Sequence, residues 1–134
     1  MSFIMNHLTQ NPPVEKQELS KWKVLLETIA ADPDYHLLVG SIDGQVIAAV
    51  TLVVIRNLTH NLRPYSIIEN VVTHSGFRNN GYSSALMKRA GEIAEENLCY
   101  KIMLMTGSKE ESILRFYEQC GFNRRDKTAF IKWL

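Results

Sequence analysis

Residues 65–84 read Tyr65-Ser66-Ile67-Ile68-Glu69-Asn70-Val71-Val72-Thr73, then His74-Ser75-Gly76-Phe77-Arg78-Asn79-Asn80-Gly81, then Tyr82-Ser83-Ser84. The first nine residues are rich in β-branched side chains and read as a strand. A turn follows at Ser75-Gly76, and Arg78-Asn79-Asn80-Gly81 leads into a helix. Leu86, Ala90, Ile93 and Ala94 mark the buried face of that helix, and Asn97 can close it in a left-handed conformation. A segment that leaves a strand and opens a helix points several backbone N–H groups into one concavity. The helix dipole adds partial positive charge there, Arg78 adds a full charge, and Gly81 lets a ligand approach the backbone closely. Such a segment can cradle a pyrophosphate. The alternative is an ordinary helix N-terminus. Neither a Walker loop nor a dinucleotide-binding glycine fingerprint is present.

Working toward the N-terminus, residues 56–63 form a polar loop, in which Arg56, His60 and Arg63 either meet an anionic group or stand in solvent. Before it, Tyr35–Ile42 and Gln45–Ile55 read as strands joined by Asp43-Gly44. That pair accepts the positive φ angles of a two-residue hairpin. Further back, Leu19, Trp22, Leu26 and Ile29 form one stripe on a helix over residues 14–31, started near Pro13 and stopped by Asp32-Pro33-Asp34.

Toward the C-terminus, residues 100–105 are apolar apart from Lys101 and read as a short strand covered on both faces. Ser108 with Glu111 is a capping-box pattern for the next helix. Ile113, Phe116, Tyr117 and Cys120 line its inner face, and Gly121 ends it. Residues 128–134 read as a last strand. The order α-β-β-β-α-β-α-β predicts an α/β (α+β) fold with a mixed, mostly antiparallel central sheet and helices on both faces.

The composition agrees with one domain over residues 1–134. The chain has 46% hydrophobic and 22% charged residues and a net charge of +1 from 15 basic and 14 acidic side chains. A 134-residue chain can bury about two thirds of its surface without staples. The balanced charge offers no broad footprint for nucleic acid or an anionic membrane. Cys99 and Cys120 have no metal-ligand spacing and read as free thiols of a reducing compartment. The histidines are not spaced as ligands either, and only His74, beside the candidate cradle, invites a test. No metal site is expected. The longest apolar run, residues 46–55, is too short to span a bilayer. The N-terminus lacks the basic and apolar regions of a signal peptide. A cytoplasmic protein is expected.

Three segments together resemble the GNAT superfamily of acetyl-CoA-dependent N-acetyltransferases. Arg78-x-x-Gly81-x-Ser83 is similar to its phosphate loop. Ile68-Glu69-Asn70-Val71-Val72 is similar to its central splayed strand. Phe116-Tyr117-x-x-x-Gly121-Phe122 is similar to its C-terminal segment. Within the superfamily the details look closest to glucosamine-6-phosphate N-acetyltransferases, with Asn70 where those enzymes tend to carry Asp and with shortened N-terminal elements.

The resemblance implies direct acetyl transfer from acetyl-CoA, as co-substrate, to a primary amine of a small molecule, with an amino sugar as one candidate. The backbone of Val71, Val72 and Thr73 would hold the pantetheine arm. Arg78, Asn79, Gly81, Tyr82, Ser83 and Ser84 would hold the pyrophosphate. A neutral amine is needed for attack, and Glu69 is the candidate base, desolvated by its apolar strand neighbours. The alternative is that Glu69 faces solvent or pairs with an arginine. The N–H groups of Val71 or Val72 would serve the oxyanion. Tyr117 would protonate the leaving thiolate; its place on the inner stripe also suits plain core. The resemblance further implies a homodimer, with which the apolar tail Ala129-Phe130-Ile131-Lys132-Trp133-Leu134 is compatible. A non-catalytic module that binds a CoA thioester or a protein partner is the competing reading, and a protein or peptide N-acetyltransferase a third.

Overall fold

The computed structural model describes residues 16–134. The hairpin forms as the sequence predicts. Strand β1 (Tyr35–Ile42) and strand β2 (Gln45–Ile55) are antiparallel and meet at Ile42↔Gln45. Asp43 (φ 50°) and Gly44 (φ 78°) both take the positive φ that a tight two-residue turn requires. Strand β3 (Tyr65–Thr73) pairs antiparallel with β2, and β4 (Ile102–Leu104) pairs parallel with β3. The sheet order is β1-β2-β3-β4. The β3-to-β4 crossover carries helix α2 (Tyr82–Glu96), as a parallel connection requires.

Every residue from Ile47 to Leu52 is buried, so β2 is covered on both faces. Val50 and Leu52 of β2, with Ile68 of β3, meet Met87, Ala90, Ile93 and Ala94 of α2 in the core. Helix α1 (Lys16–Ala31) packs against β1. Its Trp22, Leu26 and Ile29 are half-buried, whereas Leu19 is exposed. The expected start near Pro13 lies outside the described residues. Helix α3 (Glu111–Gln119) brings Phe116 and Tyr117 onto the same core.

The ends of elements depart from the sequence reading in four places. Asn97 is not left-handed (φ −88°); Leu98 is (φ 62°). The Asn97 side chain turns back and donates to the Ile93 carbonyl at 2.8 Å, so the reversal falls one residue later. The Ser108–Glu111 capping box does not form. Ser108 Oγ accepts from the Glu110 N–H at 3.2 Å, and Glu111 is engaged by Arg124. The strand expected over residues 100–105 contracts to Ile102–Leu104. The strand expected over residues 128–134 is absent, and this segment lies exposed without a ladder partner. Gly121 ends α3 as expected. At φ 100° it lets the Phe122 N–H reach the Tyr117 carbonyl (3.1 Å) and its own N–H reach Glu118 (3.0 Å), a Schellman closure.

Candidate active site

The site is built where β3 outruns β4. The two strands pair over Ser66↔Ile102, Ile67↔Met103 and Ile68↔Leu104, and there the ladder stops. At that point β3 carries one residue too many against β2. Thr51 pairs with Glu69 but Ala49 pairs with Val72. Asn70 takes up the excess at φ 56°, a left-handed geometry that asparagine tolerates better than most residues. Such a bulge bends its strand and increases the twist. Residues 69–73 therefore leave β4 and keep a backbone edge that no strand among the described residues pairs with on that side.

Beyond β3 the chain turns tightly. His74 Nδ1 accepts from the Gly76 N–H at 3.1 Å, and the Phe77 N–H donates to the His74 carbonyl at 2.9 Å. Arg78 Nε reaches back to the Thr73 carbonyl at 3.4 Å, and its remaining guanidinium is exposed. Asn79 (φ 64°) and Gly81 (φ 79°) are both left-handed and aim the backbone into α2. Gly81 is the N-cap, and no side chain caps the helix there. A Cβ at Gly81 would meet nothing within 4 Å, so the backbone faces open space. The hydroxyls of Thr73 and Ser83 share a hydrogen bond, which locks the end of β3 to the first turn of α2.

This geometry can receive a nucleotide diphosphate with an extended arm. The α2 terminus presents backbone N–H groups and the positive end of a 15-residue helix dipole. The free edge of β3 presents the alternating donors and acceptors that an amide-bearing chain can pair with, as an added strand would. Val71, Val72 and Thr73 on one side and Arg78 to Ser84 on the other thus lie on adjoining pieces of chain.

The two proton-handling candidates sit differently. Glu69 is exposed, so the apolar desolvation expected around it is absent and the solvent-facing alternative describes this structure. Tyr117 is half-buried and packs edge-on to Phe116 with centroids 5.2 Å apart. Burial, and secondarily the nearby Cys120 thiol, push its hydroxyl above the ordinary phenol range. Tyr117 and Ser84 border one cavity of about 1060 Å³, which none of Glu69, Val71, Val72 or Thr73 lines. The basic side chains of the 56–63 loop do not converge. Arg56 pairs with Asp34 at 3.5 Å, Arg63 donates to the Leu98 and Cys99 carbonyls, and His60 stacks on Tyr100 at 3.9 Å. Two contributors escaped sequence reading. Asn70 shapes the bulge, and its only signal was the tolerance of asparagine for positive φ. The Thr73–Ser83 link joins residues ten apart, with no local pattern to announce it. Among the described residues no group of three or more His, Cys, Asp or Glu could hold a metal ion, and no helix is long and apolar enough to cross a membrane.

A parallel strand pair that splays above an uncapped helix N-terminus distinguishes this fold, and comparison with known proteins gives its class. The family described as "Acetyltransferase (GNAT) family" matches residues 1–122, and the chain belongs to that family. It is 25% identical over 131 residues to a glucosamine 6-phosphate N-acetyltransferase of Trypanosoma brucei brucei, covering 92% of this chain and 81% of the relative. A solved structure from Agrobacterium tumefaciens str. C58, described as an acetyltransferase, is 34% identical with a TM-score of 0.82, covering 92% of this chain and 84% of that one. A second, titled a transcriptional regulator from Bacillus halodurans C-125, is 26% identical with a TM-score of 0.85, covering 98% and 91%.

Proposed function

We propose that this chain moves an acetyl group from acetyl-CoA to the primary amine of a small molecule, with an amino sugar as the first candidate acceptor. The observation that carries this reading is the end of the β3–β4 ladder at Ile68↔Leu104, directly before a helix whose N-cap is a bare glycine. The relative from Trypanosoma supports the amino-sugar choice.

Acetyl-CoA supplies an activated thioester. The chain's own residues do the rest. The amides of Tyr82, Ser83 and Ser84, with Arg78, Asn79 and Gly81, hold the diphosphate. The backbone of Val71, Val72 and Thr73 aligns the arm. The N–H of Val71 or Val72 donates to the acyl oxygen as negative charge builds on it. Glu69 accepts the proton of the attacking amine, its solvation reduced by the acceptor itself. Tyr117 keeps its proton because it is partly desolvated and delivers it to the departing sulfur. The free thiols Cys99 and Cys120 fit a reducing, cytoplasmic setting, and two copies pair as a homodimer.

The test is an acetyl-CoA consumption assay over amino sugars, polyamines, amino acids and peptides. The expected result is release of CoA thiol with at least one small amine. Tight CoA binding without turnover on any amine would instead establish a binding module. The exposed Glu69 and the likeness to the Bacillus protein described as a transcriptional regulator favour that second reading.

A further inference from the structure

Asn80 is the only asparagine in the chain that a glycine follows. The reaction outlined above makes no use of its side chain, which is exposed. Its amide donates to the Arg78 carbonyl at 3.1 Å. The next backbone nitrogen, that of Gly81, is just as open. Gly81 is exposed, and a Cβ there would meet nothing within 4 Å. Among the described residues its N–H donates to no backbone carbonyl. The Asn80 Cγ and the Gly81 nitrogen can therefore close a five-membered ring. A side chain on the following residue obstructs that closure, and glycine has none. Every other asparagine precedes a residue that carries a Cβ.

The surroundings favour the same step. Gly81 is the N-cap of a 15-residue helix, so its nitrogen lies at the positive end of the α2 dipole. Arg78 stands two residues before Asn80. Positive charge there eases removal of the Gly81 proton and steadies the oxyanion that forms on Asn80 Oδ1.

We propose that Asn80 is a self-modification site, at which attack by the Gly81 nitrogen turns the amide into a carboxylate and closes the cradle to a diphosphate. The closing rests on the diphosphate reading above and adds a control to it. The Gly81 nitrogen gives its proton to solvent and bonds to Asn80 Cγ. The Cγ–Nδ2 bond breaks, and Nδ2 takes a proton from water and leaves as ammonia. Water then opens the cyclic imide by breaking either bond to the Gly81 nitrogen. One opening gives aspartate, and the other gives isoaspartate with the main chain rerouted through Cγ. Water is the sole co-reactant, and nothing is oxidised or reduced.

The product adds one negative charge to a chain of net charge +1, beside the amides that would hold the diphosphate. A carboxylate at a helix N-terminus favours the fold, so affinity falls while stability does not. A bound diphosphate engages the same amides, and its own charge disfavours loss of the Gly81 proton. The loaded protein thus persists while the empty protein is retired.

The full chain is kept in warm, mildly alkaline buffer with and without saturating CoA. Trypsin then releases the peptide Asn79–Lys88, which is weighed and probed for isoaspartate. The mass gain of an amide-to-acid change is expected in that peptide, faster than at any other asparagine and slowed by CoA. Asn80→Gln should show no gain and should keep its starting CoA affinity through the incubation. Asn80→Asp should bind CoA roughly tenfold more weakly in calorimetry, with a urea midpoint no lower than wild type. No faster gain at this peptide, or a gain that persists in Asn80→Gln, overturns the modification. Equal rates with and without CoA overturn the protection. An Asn80→Asp chain that binds CoA as tightly as wild type overturns the closing of the cradle. A fresh wild-type chain that binds no CoA overturns the diphosphate reading and the closing together. That failure is distinguishable, because the mass gain without CoA is measured apart from any binding.

Discussion

At the scale of single residues, Gly81 carries the sharpest demand on side-chain identity. Its φ of 79° costs an L-residue about 1–2 kcal/mol, and the open space in front of it means that no clash adds to that. Gly81→Ala is therefore predicted to lower the unfolding free energy by about 1 kcal/mol in a urea titration. Gly81→Asn should cost less, since asparagine tolerates this region. Gly81→Val places a branched side chain over the amides of α2 and should weaken CoA binding beyond its effect on stability, as read by calorimetry. Equal CoA affinity in Gly81→Val would show that these amides do not hold the ligand. Tyr117 makes a different kind of demand. If it protonates the leaving sulfur, Tyr117→Phe should reduce kcat by roughly 10²-fold or more while the urea midpoint changes little. Its hydroxyl is held above the ordinary phenol value, so the alkaline limb of the wild-type rate should lie above pH ~10. An unchanged kcat in the phenylalanine variant would return Tyr117 to the core.

At the scale of elements, the Arg124 clasp ties the chain after α3 back onto that helix. Arg124 meets Glu111 at 2.9 Å and also binds Glu118. The hydrogen bond from Arg124 holds the Glu111 carboxyl below its usual value. A depressed folded-state pKa gives stability that is present above the unfolded value, about 4.3, and is lost as pH falls through the folded one. Arg124→Ala should thus lower the urea midpoint at pH 7, and the gap between variant and wild type should close as the solution is acidified below the ordinary glutamate range. A gap that persists in acid would mean that the arginine acts through packing alone. This clasp also shows why some elements were legible in the sequence and others were not. The hairpin, β3 and α2 rest on local signals: Asp43-Gly44, a β-branched run, and apolar residues at helical spacing. The glycine turn that opens α2 was legible for the same reason. The bulge at Asn70, the early end of the β3–β4 ladder and the engagement of Glu111 by Arg124 depend on partners distant in sequence. Ser108–Glu111 read as a capping box because the pattern is local, and a long-range arginine overrode it. The last strand failed similarly. Residues 128–134 have strand chemistry, yet a strand exists only where a neighbour offers hydrogen bonds.

At the scale of the whole molecule, the candidate site is divided between two elements, and that division can be tested as a binding free energy. The β3 edge and the α2 terminus belong to separate pieces of chain, held in register by the Thr73–Ser83 hydrogen bond. A ligand that spans both binds only the folded arrangement. It stabilises the fold by about 2.7 kcal/mol at a concentration of 100 Kd, which for a domain of this size raises the melting midpoint by roughly 10 °C. CoA should therefore shift the thermal unfolding curve in a saturable manner. If the diphosphate lies at the helix terminus and the arm along the strand edge, ADP and pantetheine should each alone give a smaller shift at the same concentration. Thr73→Val removes the link without removing either half. It should leave the ADP shift nearly intact and diminish the CoA shift, because the two halves are no longer held at the spacing that CoA requires. If ADP stabilises the protein as strongly as CoA, the ligand is held at the helix terminus alone. The open edge of β3 would then have no part in binding, and direct acetyl transfer across it would lose its structural basis.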